Sequence, residues 1–408
     1  MWRHVAANAL TLFVVLLFLA AGAVLWGVER WSAPGPLAQA ICLRVDSGST
    51  MRRVAADLSD KGAISSPLLF RIGTDYGGYV PLLKAGSYRI PEGASMEEIA
   101  AIITRGGANT CGTEIVWRIG VTRTQAQIRD LDPVSGQYVE LAAFDPLSGE
   151  APPPLYAEIR DRPDTTFRVV VAEGTTAWQV VQALDAIDVL EGDATAVPPE
   201  GTLAPRDYPI VPGTSVDALL ARMAEIQSAI LAEAWEGRAP DLPFDTPQEA
   251  LTLASIVEKE TAIPEERPLV ASVLVNRLRR GDMRLQFDPT IIYGITRGQG
   301  VLDRPIRQSD IAGETERRLH GEILYNTYQI DGLPAGPIAN PGQDAIEAAV
   351  NPAETDYLYF VADGSGGHAF AATLEEHNRN VARLRAIEAA QQAGGGDDAE
   401  GQGGADAP

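Results

Sequence analysis

The sequence predicts an α+β protein: an N-terminal transmembrane helix, a small β–α module, and a helix-rich mixed α/β domain. Three observations carry that expectation. An uncharged apolar run covers 5–28, one strand–turn–helix template recurs four times, and helical periodicity dominates from 246 to about 385. With 408 residues, 45% of them apolar and 22% charged, the composition is that of a folded chain with material for two or three domains.

The first element is "VAANALTLFVVLLFLAAGAVLWGV", Val5 to Val28, long enough for the roughly 20 residues that cross a bilayer as a helix. Arg3 and the amino terminus precede it, and Trp26 and Trp31 stand at its far end as interfacial aromatics. Its length, and the lack of a small-residue cleavage site after it, favour an anchor over a secretory signal. The flanking charges place 1–4 in the cytoplasm and the body outside it. In a bacterium this is a single-pass inner-membrane protein with a periplasmic body. A formal net charge of -22 argues against nucleic acid and anionic lipid surfaces as partners. A neutral polymer such as a glycan remains compatible. Cys42 and Cys111 are the only cysteines, and either two buried thiols or one bridge fits an exported body.

The recurring template appears as "VDSGSTMRRVAADL", "IPEGASMEEIAAII", "VAEGTTAWQVVQAL" and "IVPGTSVDALLARM". An apolar residue leads, glycine follows, and a hydroxyl residue (Thr50, Ser95, Thr176, Ser215) stands where it can cap the helix behind it. The first two copies, within 42–107, resemble LysM-like carbohydrate-binding modules, although strand–turn–capped helix also serves proteins with no glycan ligand. Residues 108–168 read as a hairpin-like insertion, because short alternating runs are broken by Asp-Pro and Ser-Gly. "SGEAPPPLY" within it reads as a proline-rich link. A third domain follows at 169–390, with its core at 246–385. The Gly/Asp/Ala-rich tail 391–408 has too little apolar content to fold.

The helix "DTPQEALTLASIVEKETAIPEE" opens on Thr246 as N-cap, with Pro247 in the first helical position and Glu249 completing a capping box. Pro264 ends it. Leu253, Ile256 and Val257 form an apolar stripe. Glu260 lies on or beside that stripe, whereas Glu258 is rotated roughly 160° from it. Two carboxylates so separated cannot flank one bond as a pair. A carboxyl near the apolar face has its charged form disfavoured, which suits a general acid. Glu260 fits that environment, or else it is an edge glutamate paired with an arginine such as Arg277. Glu258 reads as solvated or helix-packing.

Four strings, "LASIVEKET", "ASVLVNRLRRGDMRLQFDPTIIYG", "YNTYQIDGLPAGPIANPG" and "YLYFVADGSGGHAFAATLEEHN", resemble the YceG/MltG-like family of endolytic murein transglycosylases. The resemblance is densest from Leu251 to Asn378, and it makes 169–390 the catalytic domain. It implies cleavage of the β-1,4 bond between N-acetylmuramic acid and N-acetylglucosamine in uncrosslinked glycan strands, leaving 1,6-anhydro ends. One glutamate would serve as acid and then as base, and it falls on Glu260. Peptidoglycan strands, the cytoplasmic membrane and cell-wall synthases are the implied partners, with no cofactor.

Asn276, Gln286, Asp288, Tyr325, Asn326 and Asn340 offer donors and acceptors for a glycan groove, and Tyr293 and Tyr328 offer flat faces for sugar rings. Each could equally serve packing, and Asp288 ahead of Pro289 could organise a turn. His368 and His377 lack metal-ligand spacing, so loop hydrogen bonding is expected of both and no metal site is assigned. Three departures from the family pattern stand out. "LPAGPI" has Ala335 where a proline is usual. "EGTLAPRDYPI" has Ala204 and Arg206 where an aromatic and an aspartate are expected. The third departure is the insertion itself. Two other readings stay open: a hydrolytic muramidase using Asp288 to activate water, and a non-catalytic glycan-binding scaffold.

Overall fold

The computed structural model describes residues 2–105, 111–162 and 164–394, with the side chains of 2–9 and 392–394 left aside. The chain divides into two compact units. The first comprises Met1–Val116, Ala126–Phe144 and Ala151–Arg168; the second comprises Trp117–Gln125, Asp145–Glu150 and Val169–Pro408.

The first unit begins with helix α1 (Trp2–Ser32). Its stretch Leu10–Ser32 holds 18 consecutive residues of mean hydropathy 2.5 and is long and apolar enough to cross a membrane. The helix runs past the expected end at Val28 because nothing at Glu29 or Arg30 breaks helical geometry. Strand β1 (Ile41–Val45), helices α2 (Met51–Asp60) and α3 (Pro67–Tyr76), strand β2 (Gly86–Ile90) and helix α4 (Met96–Thr104) follow. β1 and β2 pair antiparallel, from Ile41 opposite Ile90 to Val45 opposite Gly86. Their inward side chains, Leu43, Val45 and Ile90, meet Val54 and Leu58 of α2, Phe70 of α3, and Ile99 and Ile103 of α4 in one core.

Strands β3 (Thr113–Ile119), β4 (Thr124–Leu131) and β5 (Tyr138–Phe144) follow. β4 and β5 are antiparallel, with a bulge at Ile128/Arg129. The proline-rich link differs from expectation. Pro154 opens a short helix, α5 (Pro154–Arg160), because proline suits the first helical position and Tyr156 and Ile159 have a core to enter. Strand β6 (Thr166–Val171) completes the order β5-β4-β3-β6.

In the second unit the distal half of β6 leads to helix α6 (Ala177–Asp185). Next come strands β7 (Leu190–Glu191), β8 (Asp207–Ile210) and β9 (Thr214–Ser215), then helix α7 (Val216–Glu236). β8 lies beside β6, and β7 pairs parallel with β9. Helices α8 (Pro247–Glu260), α9 (Arg267–Arg280), α10 (Asp288–Thr296), α11 (Gln308–Ile311), α12 (Glu314–His320) and α13 (Gln343–Val350) build the helical body. The hairpin β10 (Tyr359–Ala362) and β11 (His368–Ala371) and helix α14 (Leu374–Gly394) follow it. α14 continues through the first residues of the expected disordered tail; 395–408 lie outside the described residues.

All four template hydroxyls cap their helices. Thr50, Ser95, Thr176 and Ser215 accept from the backbone N–H three residues on, and Ser95 and Thr176 form full capping boxes with Glu98 and Gln179. Thr246 and Glu249 do the same for α8. That helix is not amphipathic. Every residue from Ala250 to Val257 is buried, against α7, α9, α10 and α13. A central helix has no solvent face, so the apolar stripe is only part of what its neighbours cover.

Cys42 and Cys111 are joined, with Cα atoms 5.6 Å apart and 69 residues of separation. Closing so long a loop restricts the unfolded chain, worth about 4 kcal/mol on the chain-entropy account. Cys111→Ser is expected to lower the unfolding midpoint of the first unit by an amount of that order, read as denaturant unfolding of the full chain with and without reductant. An identical unfolding curve in both proteins would rule the bond out as a stabilising element.

Candidate active site

The last three residues of α8 leave the buried part of the helix and meet three different environments. The Glu258 side chain is only 5% exposed. One oxygen lies 3.4 Å from the Arg267 guanidinium and the other accepts the Gly342 N–H at 2.9 Å. Arg267, itself buried, also reaches Glu173 at 2.9 Å and Asp344 at 3.1 Å. Of the two roles open to Glu258, packing is the one realised. A Cβ at Gly342 would meet the Glu173 carboxylate, so a larger residue there would displace that side chain from Arg267. Lys259 donates to the Gly174 carbonyl at 3.2 Å.

Glu260 is half-buried, and its carboxyl has no ion pair among the described residues. Burial, and then the negative charge of Asp288, push its pKa up to about 7, against an opposing pull from Arg277. The expected alternative, a Glu260–Arg277 salt bridge, is not formed. The Arg277 guanidinium donates to the Leu358 carbonyl at 2.7 Å and to the Leu285 carbonyl, and lies over the rings of Phe287 (5.7 Å) and Tyr359 (5.5 Å). Two carbonyls and two aromatic faces hold it in place, so it acts on Glu260 as a fixed charge at a distance.

Asp288 opens α10, where a carboxylate suits the helix dipole. It is exposed, and accepts the Tyr328 hydroxyl proton at 2.7 Å. Burial and that hydrogen bond raise the Tyr328 pKa, so the phenol keeps its proton. Gln286, also exposed, has left-handed backbone (φ 58°) and donates its N–H to Thr327 O. Beneath these side chains the hydroxyls of Thr290 and Thr327, 2.8 Å apart, tie the two loops together. Glu260, Asp288, Tyr328 and Gln286 are thus brought to one neighbourhood.

The other expected groove residues are engaged by the fold. The Asn276 amide donates to the carbonyls of Thr355 and Tyr357. The Asn326 amide, 1% exposed, donates to Asp310 O and Ile311 O. Asn340, fully buried, donates to Thr175 O and accepts from the Leu203 N–H. These asparagines hold loops together, because a buried amide needs internal partners. Tyr325 and Tyr293 pack ring to ring at 4.8 Å, with Arg297 over Tyr325. Tyr293 also donates to Glu200 at 3.2 Å and, with Lys259, Pro289 and Ile338, lines a cavity of about 330 Å³.

Two buried carboxylates that the sequence reading passed over support the Tyr325–Tyr328 loop. Glu316 accepts the N–H groups of Leu324, Tyr325 and Asn326, while Arg297 balances its charge. Asp310 is held far below the usual carboxylate range, first by Arg304 and then by Thr315 and the Arg307 N–H. Acidic residues between loop segments carry no periodic signal, so only their partners distinguish them from surface charge. Ala335 donates its N–H to Leu324 O at 3.0 Å, a bond that the proline usual there could not make. Ala204 is fully buried, and its carbonyl accepts the Tyr208 hydroxyl proton, so the divergent linker is packed without the expected aromatic.

Nδ1 of His368 stands 2.6 Å from Glu266, which also accepts from Thr261, the residue capping α8. His377 departs from the expected hydrogen-bonding role: its ring stacks on Tyr359 at 5.3 Å and its buried Nδ1 has no hydrogen-bond partner among the described residues. Among the described residues no three His, Cys, Asp or Glu side chains are arranged to hold a metal ion.

The raised pKa of Glu260 has a signed consequence for stability. The folded chain keeps this proton up to about pH 7, and the unfolded chain releases it near 4.5. Between those values the folded state binds more protons, so stability falls as pH rises. Glu260→Gln removes that loss. The variant is expected to gain on the wild type by on the order of 1–2 kcal/mol between about pH 4 and pH 8 in denaturant midpoints. A difference independent of pH would show that the carboxyl is not desolvated.

The profile of the YceG-like family matches residues 43–383. An endolytic murein transglycosylase of Streptococcus pneumoniae (serotype 2, strain D39) is 30% identical over 388 residues, covering 93% of this chain. This chain spans 65% of that relative's length. One from Bacillus subtilis (strain 168) is 29% identical over 340 residues, covering 83% of this chain and 82% of the relative. A crystal structure of a YceG-like protein from Listeria monocytogenes aligns with TM-score 0.43 and 24% identity over 84% of this chain and 98% of that one. With the family profile extending over most of its length, the chain belongs to the YceG-like family.

Proposed function

We propose that the chain is a membrane-anchored lytic transglycosylase that cleaves the β-1,4 bond between N-acetylmuramic acid and N-acetylglucosamine within peptidoglycan strands, with Glu260 as its acid–base catalyst. The observation that carries this reading is the half-buried Glu260 carboxyl with its pKa raised to about 7, near exposed Asp288. Membership of a family whose curated relatives are named endolytic murein transglycosylases supports the substrate class.

The mechanism follows from the protonation state. Near neutral pH Glu260 can hold the proton that the glycosidic oxygen must receive as the bond breaks. The resulting carboxylate, with Arg277 fixed nearby, then takes the proton of the muramoyl 6-hydroxyl as that oxygen closes on C1. The product carries a 1,6-anhydro ring, no water is consumed, and the catalyst regains its proton. Exposed Gln286 and half-buried Tyr328 are the side chains we assign to sugar hydroxyls, with Asp288 holding the Tyr328 hydroxyl. The β1-α2-α3-β2 segment, with its antiparallel strand pair, supports the LysM-like reading of 42–107 as a second glycan contact. The long apolar exposed helix α1 supports the anchor, and Arg3 with the amino terminus ahead of it supports a body in the periplasm.

A hydrolytic reading has one observation in its favour, the proximity of Asp288, whose charge helps raise the Glu260 pKa. In that reading Asp288 would activate water.

Glu260→Gln is expected to lower turnover of uncrosslinked glycan by about 10²–10⁴-fold. Mass analysis of wild-type products should show anhydro ends. Wild-type turnover in the variant would remove Glu260 from the mechanism, and water-terminated ends would favour the hydrolase. Activity is expected to decline above about pH 7 as Glu260 loses its proton. Asp288→Asn removes the like charge and should shift that limb to lower pH; an unmoved limb would mean that Asp288 does not act on Glu260.

A further inference from the structure

Helix α3 has one buried side, Phe70 and Thr74, facing the core of the first unit. Its outward side carries an apolar row. Leu68, Ile72 and Tyr76 follow at four-residue spacing and are 63%, 58% and 96% exposed, flanked by exposed Arg71 and Asp75, and beyond the helix Val80 and Leu82 are 41% and 51% exposed. Exposed apolar side chains so grouped, with charges at their border, mark a contact surface.

Its position against α1 indicates which occupant. A Cβ at Gly27 would stand 3.6 Å from Leu69 Cδ1 of α3. Gly27 lies in the last apolar turn of α1, just before the first charges, Glu29 and Arg30. Trp31 then packs on Phe70 with ring centroids 6.0 Å apart and on Tyr79 at 6.4 Å. Gly73 is what lets α3 come so close, because a Cβ there would enter the Trp31 ring. α3 is therefore joined to the end of the apolar span at the level where hydrocarbon gives way to headgroups. Trp31, Tyr76 and Tyr79 there have the composition of an interfacial aromatic belt.

We infer that the Leu68–Ile72–Tyr76 face of α3 inserts into the headgroup boundary of the bilayer that α1 spans, so that the first unit is seated on the membrane and not merely tethered to it. The inference rests on the reading of α1 as an anchor. The partner is a neutral lipid surface, since a net charge of -22 offers anionic headgroups no attraction. Apolar burial, as in an interfacial helix lying in the membrane plane, supplies the binding, which makes the contact insensitive to salt.

The test uses the full chain reconstituted in phosphatidylcholine vesicles. The only two cysteines are bonded to each other, so a single added cysteine carries a nitroxide label without competition. Labels at Ile72→Cys, at Arg52→Cys on the exposed side of α2, and at Leu17→Cys within α1 are compared for collision with oxygen and with a water-soluble nickel chelate. The expected result is an oxygen-to-nickel ratio at 72 several-fold above that at 52 and approaching that at 17, unchanged by added salt. A ratio at 72 equal to that at 52, while 17 still reports hydrocarbon, overturns the inference and leaves the anchor intact. A label at 17 that is freely reached by nickel overturns the anchor reading as well. Protection at 72 from both reagents, with dipolar broadening that grows with protein concentration, overturns it in favour of a second copy of the chain.

Discussion

Burial of α8 on every side is the constraint on which the second unit depends. Eight consecutive residues, Ala250 to Val257, are buried, so each polar group near the helix end requires a partner from another element. Arg267 and the Gly342 N–H answer Glu258, and Gly174 answers Lys259. Ser255 donates to the Thr252 carbonyl and accepts the Ile338 N–H, which draws the 333–341 loop onto the helix. Glu260 alone of the three terminal side chains has neither an ion pair nor a hydrogen bond among the described residues. A carboxyl so placed holds a proton at neutral pH.

The loops around that carboxyl are stiff because their polar groups are satisfied from below. The Glu316 nest, the Asp310–Arg304 pair and the Thr290–Thr327 contact fix the backbone that presents Asp288, Tyr328 and Gln286. The buried asparagines act in the same way, each bridging segments far apart in the chain. Asn340, for example, joins Thr175 to Leu203. Residues that look like ligands in the sequence are, in these cases, the framework that positions the exposed ones. Arg277 fits the same pattern: its four neighbours hold the guanidinium, and only its charge reaches Glu260.

The sequence by itself determined the local structure. Capping hydroxyls, prolines at helix starts and glycine turns depend on residues within four positions of one another. For that reason the caps at Thr50, Ser95, Thr176, Ser215 and Thr246, and the end of α8 ahead of Pro264, were legible in advance. The apolar N-terminal run was legible for the same reason, and helical phase alone separated Glu258 from Glu260. Tertiary structure decided the rest. Whether Cys42 meets Cys111, which carboxylate reaches Arg267, and why Arg277 does not bridge to Glu260 depend on segments tens of residues apart. An asparagine's spacing says nothing about whether its amide faces a groove or a carbonyl. Likewise, only the assembled first unit shows that Phe70 and Thr74 give the side of α3 that the core takes, with Trp31 against Phe70. Burial and partner choice are properties of the assembled chain, and they set the pKa of Glu260 as well as the surface left for others to meet.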